Sequence, residues 1–172
     1  MQDRMQGIVI ATVMSVIDPQ NQGRVMVQFP WLDDTLQTTW ASMVAPFAGG
    51  DRGAFFMPEL GDEVMVGFEH GDFAHAFVLG SMWNGVAASP SSDPRQRMIR
   101  SKNGHTIRFV DSTPNGGNLG ALIVEDAHGD SVVMTNGVMT ITAQTTLVIE
   151  AQSVVIRGPG WTRTVTPNGN PI

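Results

Sequence analysis

Short apolar strands recur every seven to eight residues late in this chain, and that spacing restricts its fold more than any other feature. Met139, Ile141 and Ala143 return as Leu147, Ile149 and Ala151, a step of eight, and again as Val154, Ile156 and Gly158, a step of seven. Thr140 and Thr142, then Val148 and Glu150, then Val155 and Arg157 take the opposite face. Side chains alternate across a strand, so each rung offers only two or three inward groups, several of them Ala or Gly. Repeats of this kind build stacked β-architectures whose units cannot bury their own faces. Three or four rungs from a single chain would leave backbone donors unpaired and bury little apolar area. Association of several copies removes both problems, and closed cyclic symmetry avoids open aggregation.

Further upstream, residues 103–110 (NGHTIRFV) and 128–135 (HGDSVVMT) repeat a looser pattern of turn glycine, polar residues and short apolar strand. Two alignments of these segments disagree. Extending the octad backwards lands on Val133, whereas matching to Ile107 and Phe109 selects Val132 and Met134.

The first half has a different texture. Ile8, Ile10, Thr12 and Met14 alternate with Val9, Ala11 and Val13, as in a strand with two distinct faces. A turn cluster, DPQNQG, precedes a second strand over residues 24–29, which Pro30 ends because it lacks a ladder donor. Further strands are expected over 40–45, 63–69 and 73–80, the last two forming a hairpin about His70-Gly71-Asp72. With no amphipathic helix in residues 1–85, five or six short strands predict a small closed barrel of the OB type. Residues 86–98 (VAASPSSDPRQRM) read as a linker, residues 99–160 as a stem and residues 161–172 as its cap.

Composition narrows the function. Gly (19) and Pro (10) are abundant among the 172 residues, as suits an all-β chain rich in turns. There is no cysteine, which excludes disulfides and thiolate metal sites. No apolar run reaches the roughly 18 residues needed to span a bilayer, and residues 1–13 do not resemble a signal peptide, so synthesis and assembly in the cytoplasm are expected. Residues 1–85 hold ten acids against three bases, a net of −7. That field repels phosphate and argues against a nucleic-acid partner. A short basic stretch follows, Arg95, Arg97, Arg100 and Lys102, and its sign suggests that it rests on the acidic first half.

An ordered series of segments then points to a family. Gln22-Gly-Arg-Val-Met-Val-Gln-Phe-Pro-Trp31 resembles a Gly-Arg-Val-x-Val-x-Phe-Pro-Trp segment of phage baseplate assembly protein V and the VgrG proteins. Trp40-Ala-Ser-Met-Val-Ala-Pro-Phe47, Phe56-Met-Pro-Glu-Leu-Gly-Asp-Glu-Val-Met-Val66, Phe68-x-x-Gly-Asp72 and Gly80-x-x-Trp-Asn84 continue the match in order. Residues 99–109 are similar to the start of that family's spike stem, and the Thr-Ile-Thr-Ala and Val-Ile-Glu-Ala repeats to its β-helix.

The resemblance implies an all-β protein: an N-terminal OB-fold collar followed by an intertwined triple-stranded β-helix. It implies a homotrimer, attached by its collar to a tail hub, that punctures or presses on a target cell envelope from a phage-tail or injection-machine baseplate. The number three comes from the resemblance alone. It makes Ile107, Phe109, Met139, Ile141, Leu147, Ile149, Val154 and Ile156 the candidate trimer core. Trp31, Leu32, Asp33 and Asp34 become candidate hub contacts, and Trp161, Pro171 and Ile172 candidate contacts to a PAAR-like tip protein. The lysozyme-like insert of some relatives and the metal-binding His-x-His near the C-terminus of others are both missing from the sequence. This matches a short, split form, with hub and tip supplied as other chains.

Residues capable of chemistry have plainer readings. Glu59, Asp62 and Glu63 could pair as catalytic carboxylates but read as a charged turn. His70, Asp72 and His75 could gather a metal but match no ligand motif, and Asp33-Asp34 reads as a solvated loop. Gly49-Gly-Asp-Arg-Gly53 lacks the lysine and helix start of a phosphate loop. No metal, cofactor or catalytic activity is therefore expected. The competing classes are a saccharide-cleaving enzyme on an OB barrel and an OB-fold ligand-binding module.

Overall fold

The computed structural model describes residues 7–32, 38–112 and 118–165, which separate into two compact units, Met1–Ser89 and Pro90–Ile172. The first is built from β1 (Ile8–Ser15), β2 (Arg24–Gln28), β3 (Thr38–Met43), the two-residue strands β4 (Ala48–Gly49) and β5 (Arg52–Gly53), β6 (Glu63–Phe68) and β7 (Ala76–Ser81). Five of these close a barrel in the order β1-β2-β3-β7-β6, with β6 returning to β1. All neighbours are antiparallel except β3 and β7, which run parallel.

Alternation dictates what the barrel holds. Ala11 and Val13 of β1, Val25 and Val27 of β2, Ala41 of β3, Val64 and Val66 of β6, and Ala76 and Val78 of β7 all point inward and are buried. Ile8, Ile10 and Met14 take the exposed outer face, as the two-faced pattern of β1 requires. Phe29 plugs one end of the barrel. Its ring lies 5.4 Å from Phe73, 5.7 Å from Phe68 and 6.1 Å from Trp31, within the spacing favoured by tilted and edge-on aromatic pairs. The β1–β2 turn is held by one carboxylate. Asp18 accepts the backbone N–H groups of Gln20, Gln22 and Arg24 and both arms of the Arg24 guanidinium, which also lies over the Trp40 ring.

The second unit begins with β8 (Gln96–Arg100), so residues 96–98 of the expected linker belong to a strand. β9 (Thr106–Val110), β10 (Ala121–Glu125), β11 (Ser131–Thr135) and β12 (Val138–Thr142) follow, and the five form one antiparallel meander. The β11–β12 turn is Asn136-Gly137, with φ of 49° and 79°. Positive φ at both central residues is what a two-residue hairpin needs, because that backbone twist matches the twist of the strands. β13 (Val154–Gly158) and β14 (Trp161–Val165) form a separate hairpin.

Within a single chain this is a sheet and a hairpin, not a helical coil of rungs. Two expectations change. The step of eight that carries Met139 and Ile141 to Leu147 and Ile149 leads out of the sheet: among the described residues, 143–153 join no ladder. Nor does the pairing end where the cap is expected to begin, because the Gly158-Pro159-Gly160 segment lies inside a hairpin. It turns the chain back, Gly160 taking φ of 77°, and residues 161–165 of the expected cap pair with β13.

Candidate assembly surfaces

The antiparallel register of the meander sorts its side chains into two faces. Ile99, Ile107, Val124, Val132 and Ile141 oppose one another in one row across all five strands. Arg97, Phe109, Leu122, Met134 and Met139 form the adjacent row on the same face. Nine of these ten are apolar. The other face is mixed: Met98, Ile123 and Val133 share it with Arg108, which pairs with Glu125 at 3.0 Å, and with a row of Arg100, Thr106, Glu125, Ser131 and Thr142.

The apolar face is open in one chain: Phe109 is 51% exposed, Ile141 55% and Met139 62%. Contiguous exposed apolar surface makes this face a candidate interaction site. It gathers four of the expected core residues, Ile107, Phe109, Met139 and Ile141. It also resolves the register, since Val132 and Met134 share the face and Val133 lies opposite. The backward octad fails at that point because a hairpin, not a forward step, joins β11 to β12. Ile99, Leu122 and Val124 were missed. The continuous apolar run of β10 (ALIVE) was the available signal for the last two.

Leu147, Ile149, Val154 and Ile156 are not part of this face. Leu147 and Ile149 are exposed in the unpaired segment, while Val154 and Ile156 share one side of the β13–β14 hairpin with Trp161. Trp161 lies over Gly158, its cross-strand partner: a Cβ there would run into the indole. The indole therefore covers its own hairpin. Pro171 and Ile172 lie outside the described residues.

On the barrel, Trp31 is 52% exposed and meets Phe29 edge-on, which leaves a rigid aromatic available at that end. Leu32 is half-buried and packs against the core. Asp33 and Asp34 lie outside the described residues. A second surface is a groove of about 750 Å³ between the β4–β5 arm, the turn at residues 21–23 and residues 54–57. Phe47, Phe55 and Phe56 line it and are exposed, so the two latter are not barrel core.

The charged residues are largely spent on turns. Glu59 and Asp62 exchange hydrogen bonds, Glu59 N–H to Asp62 Oδ2 and Asp62 N–H to Glu59 O, which makes the acidic segment a capped turn. Asp72 Oδ1 accepts from Ala74 N–H and Oδ2 meets His75 Nδ1 at 3.0 Å; these bonds, the backbone contact first, hold its carboxyl below the usual range. Arg95 pairs with Asp93 and lowers that carboxyl to about 2, and Arg97 pairs with Asp111. Two bases of the stretch expected to rest on the acidic first half are thus committed within their own unit. Among the described residues, no group of three His, Asp or Glu side chains is placed to hold a metal ion.

Comparison with known proteins agrees with this architecture. Residues 9–83 match the type VI secretion system/phage-baseplate injector OB domain, which spans the barrel. The chain is 30% identical over 146 residues to the type VI secretion system spike protein VgrG2a of Pseudomonas aeruginosa, covering 76% of this chain and 17% of that protein. It is 30% identical to VgrG2b of the same organism over the same length, and 29% identical over 102 residues to the spike protein VgrG3 of Vibrio cholerae. This chain spans 14% of VgrG2b and 10% of VgrG3, a small part of each relative.

Proposed function

Because the chain belongs to the VgrG-like baseplate family, its barrel being the injector OB domain of phage baseplates and type VI secretion systems, we propose that it is the central spike of a contractile injection machine. In this reading three copies assemble through their second units into an intertwined β-helical stem. The barrels form a collar, and Trp31, with the adjacent Leu32, Asp33 and Asp34, contacts a tail hub. The distal end, with Trp161, Pro171 and Ile172, faces a tip protein and the target envelope, which the stem punctures or presses when the tail contracts. The role is mechanical, and no residue is assigned to catalysis.

One observation carries this reading: a five-stranded sheet with one apolar face left open in a single chain. An apolar sheet face left in water is unfavourable, and a partner that covers it removes that cost. Cyclic association of identical copies covers every such face at once. The alignment with VgrG2a supports extending the family's role to this unit, since 76% of the chain is more than the barrel unit holds. Sedimentation velocity of the full chain at micromolar concentration tests the reading. Three chains per particle are expected, and a well-behaved monomer would overturn it.

A further inference from the structure

Two turns close one end of the five-stranded sheet, residues 101–105 between β8 and β9 and residues 126–130 between β10 and β11, and an imidazole joins them. His105 Nδ1 accepts the backbone N–H of Ala127 at 3.3 Å. The backbone that carries this ring is fixed: Ser101 N–H donates to His105 O at 2.9 Å, and His105 N–H donates to Ser101 Oγ at 3.1 Å. A second imidazole stands on the other turn. His128 Nδ1 meets Asp126 Oδ2 at 3.1 Å, while Asp126 Oδ1 accepts the backbone N–H groups of His128 and Asp130.

The two rings have opposite needs. A ring nitrogen accepts only while it carries no proton, and an ionised carboxylate only accepts. His105 Nδ1 is therefore bare, and its neutral ring holds the proton on Nε2. His128 Nδ1 carries its proton whether the ring is neutral or charged. Acid thus turns the His128–Asp126 contact into an ion pair, but it sets an N–H of His105 against the N–H of Ala127. The same turn has a third attachment. Gln144 donates its backbone N–H to Asp130 Oδ1 at 2.7 Å and its side-chain amide to Gly129 O at 3.1 Å. These bonds tie down the chain just after it leaves β12.

We infer that His105 is a proton-operated latch. Neutral, it ties the β10–β11 turn to the β8–β9 turn; protonated, it releases that turn and loosens the anchorage of Gln144. The latch lies within one chain and does not rest on the spike reading. Arg100 and Lys102 are the charged groups on the β8–β9 side, and Glu125, Asp126, His128 and Asp130 those on the β10–β11 side. Glu125 pairs with Arg108, and Asp126 with His128. Imidazole is the side chain whose charge ordinarily changes between about pH 5 and about pH 8, so the test must separate His105 from His128.

Amide exchange of the full chain, resolved by residue and corrected for intrinsic rates, is compared at about pH 7.5 and about pH 5. Protection of Ala127 and Gln144 should fall by about threefold to tenfold in acid, the weight of one hydrogen bond, while Val124 in the adjoining ladder stays unchanged. His105→Asn offers Oδ1 where Nδ1 stood and does not titrate, so it should keep its protection in acid. His128→Asn should respond as the parent does. Unchanged protection of Ala127 in the parent, a response that survives His105→Asn, or one that disappears with His128→Asn would each overturn the latch. A fall at Ala127 with Gln144 unchanged would overturn its transmission to Gln144. Nitrogen NMR of the imidazoles in the unsubstituted protein reads the same assignment if the variants do not accumulate. The neutral His105 ring should be protonated on Nε2 and the neutral His128 ring on Nδ1; a His105 proton on Nδ1 would overturn the inference.

Discussion

Arg24 grips the carboxylate of Asp18 on both oxygens, Nε to Oδ2 at 3.0 Å and Nη2 to Oδ1 at 2.8 Å, while three backbone N–H groups of the β1–β2 turn point at the same two oxygens. Fork-to-fork pairs of this kind are stronger than neutral hydrogen bonds and set geometry as well as energy. The Arg24 guanidinium, first, and the turn amides hold the Asp18 carboxyl far below the usual carboxylate range. A depressed pKa contributes stability that is complete above the unfolded value and is lost as pH falls through the folded one. Asp18→Asn should therefore lower the melting temperature of the barrel by the same amount at pH 5 and pH 7. The difference from the parent chain should narrow below about pH 4, where an unfolded aspartate takes up its proton. Thermal scans across that range check both parts; a gap that widens in acid would contradict the assignment.

Phe29 and Trp31 lie in edge contact but should behave oppositely. Phe29 is buried at the centre of the aromatic plug, so Phe29→Ala should cost about 3–5 kcal/mol and threaten folding of the barrel. Trp31→Ala removes a half-exposed ring and should cost about 1 kcal/mol or less in denaturant unfolding. Its loss should appear in binding to a hub preparation.

Gly120 precedes β10 with φ of 87°, and a Cβ there would run into the carbonyl oxygen of Val110. Backbone cannot yield as a flexible side chain can. Gly120→Ala should destabilise the sheet by roughly 2 kcal/mol or more and leave the barrel transition unchanged, as calorimetry resolving the two units would show.

Ile141→Asp would place a carboxylate on the apolar face, and assembly would bury one such charge from each copy. The effective penalty is several kcal/mol per ion, enough to abolish association. Thr140→Asp, one residue along the same strand, lies on the opposite face and should assemble normally. Light scattering on the two variants separates them, and normal assembly of Ile141→Asp would mean that the other face is the one covered.

The barrel was largely legible in the amino-acid sequence because its signals are local. The alternation of β1, the stop at Pro30 and the turn at Asp18 each act within a few residues, and period two alone groups Val9, Ala11 and Val13 on one face, which the barrel turns inward. The second unit was legible only in part. The inward choice between Val132 and Val133 depends on a hairpin reversal at Asn136-Gly137, which an octad count treats as a forward step. Leu147 and Ile149 show the strand pattern but join no ladder among the described residues, and periodicity does not say what a strand pairs with. β10 escaped notice because a run of four apolar residues has no period to count.

The connectivity of the two units also sets an order of events during synthesis. The barrel closes only when β6 and β7 reach back to β1 and β3, so it folds once residues up to about Ser81 have emerged. Translation proceeds from the N-terminus, and leading domains fold as units while the rest is still being made. The last strands of the apolar face, β11 and β12, leave the ribosome after that. The barrel is thus finished before the apolar face is complete, which shortens the time that face spends beside unfolded barrel strands.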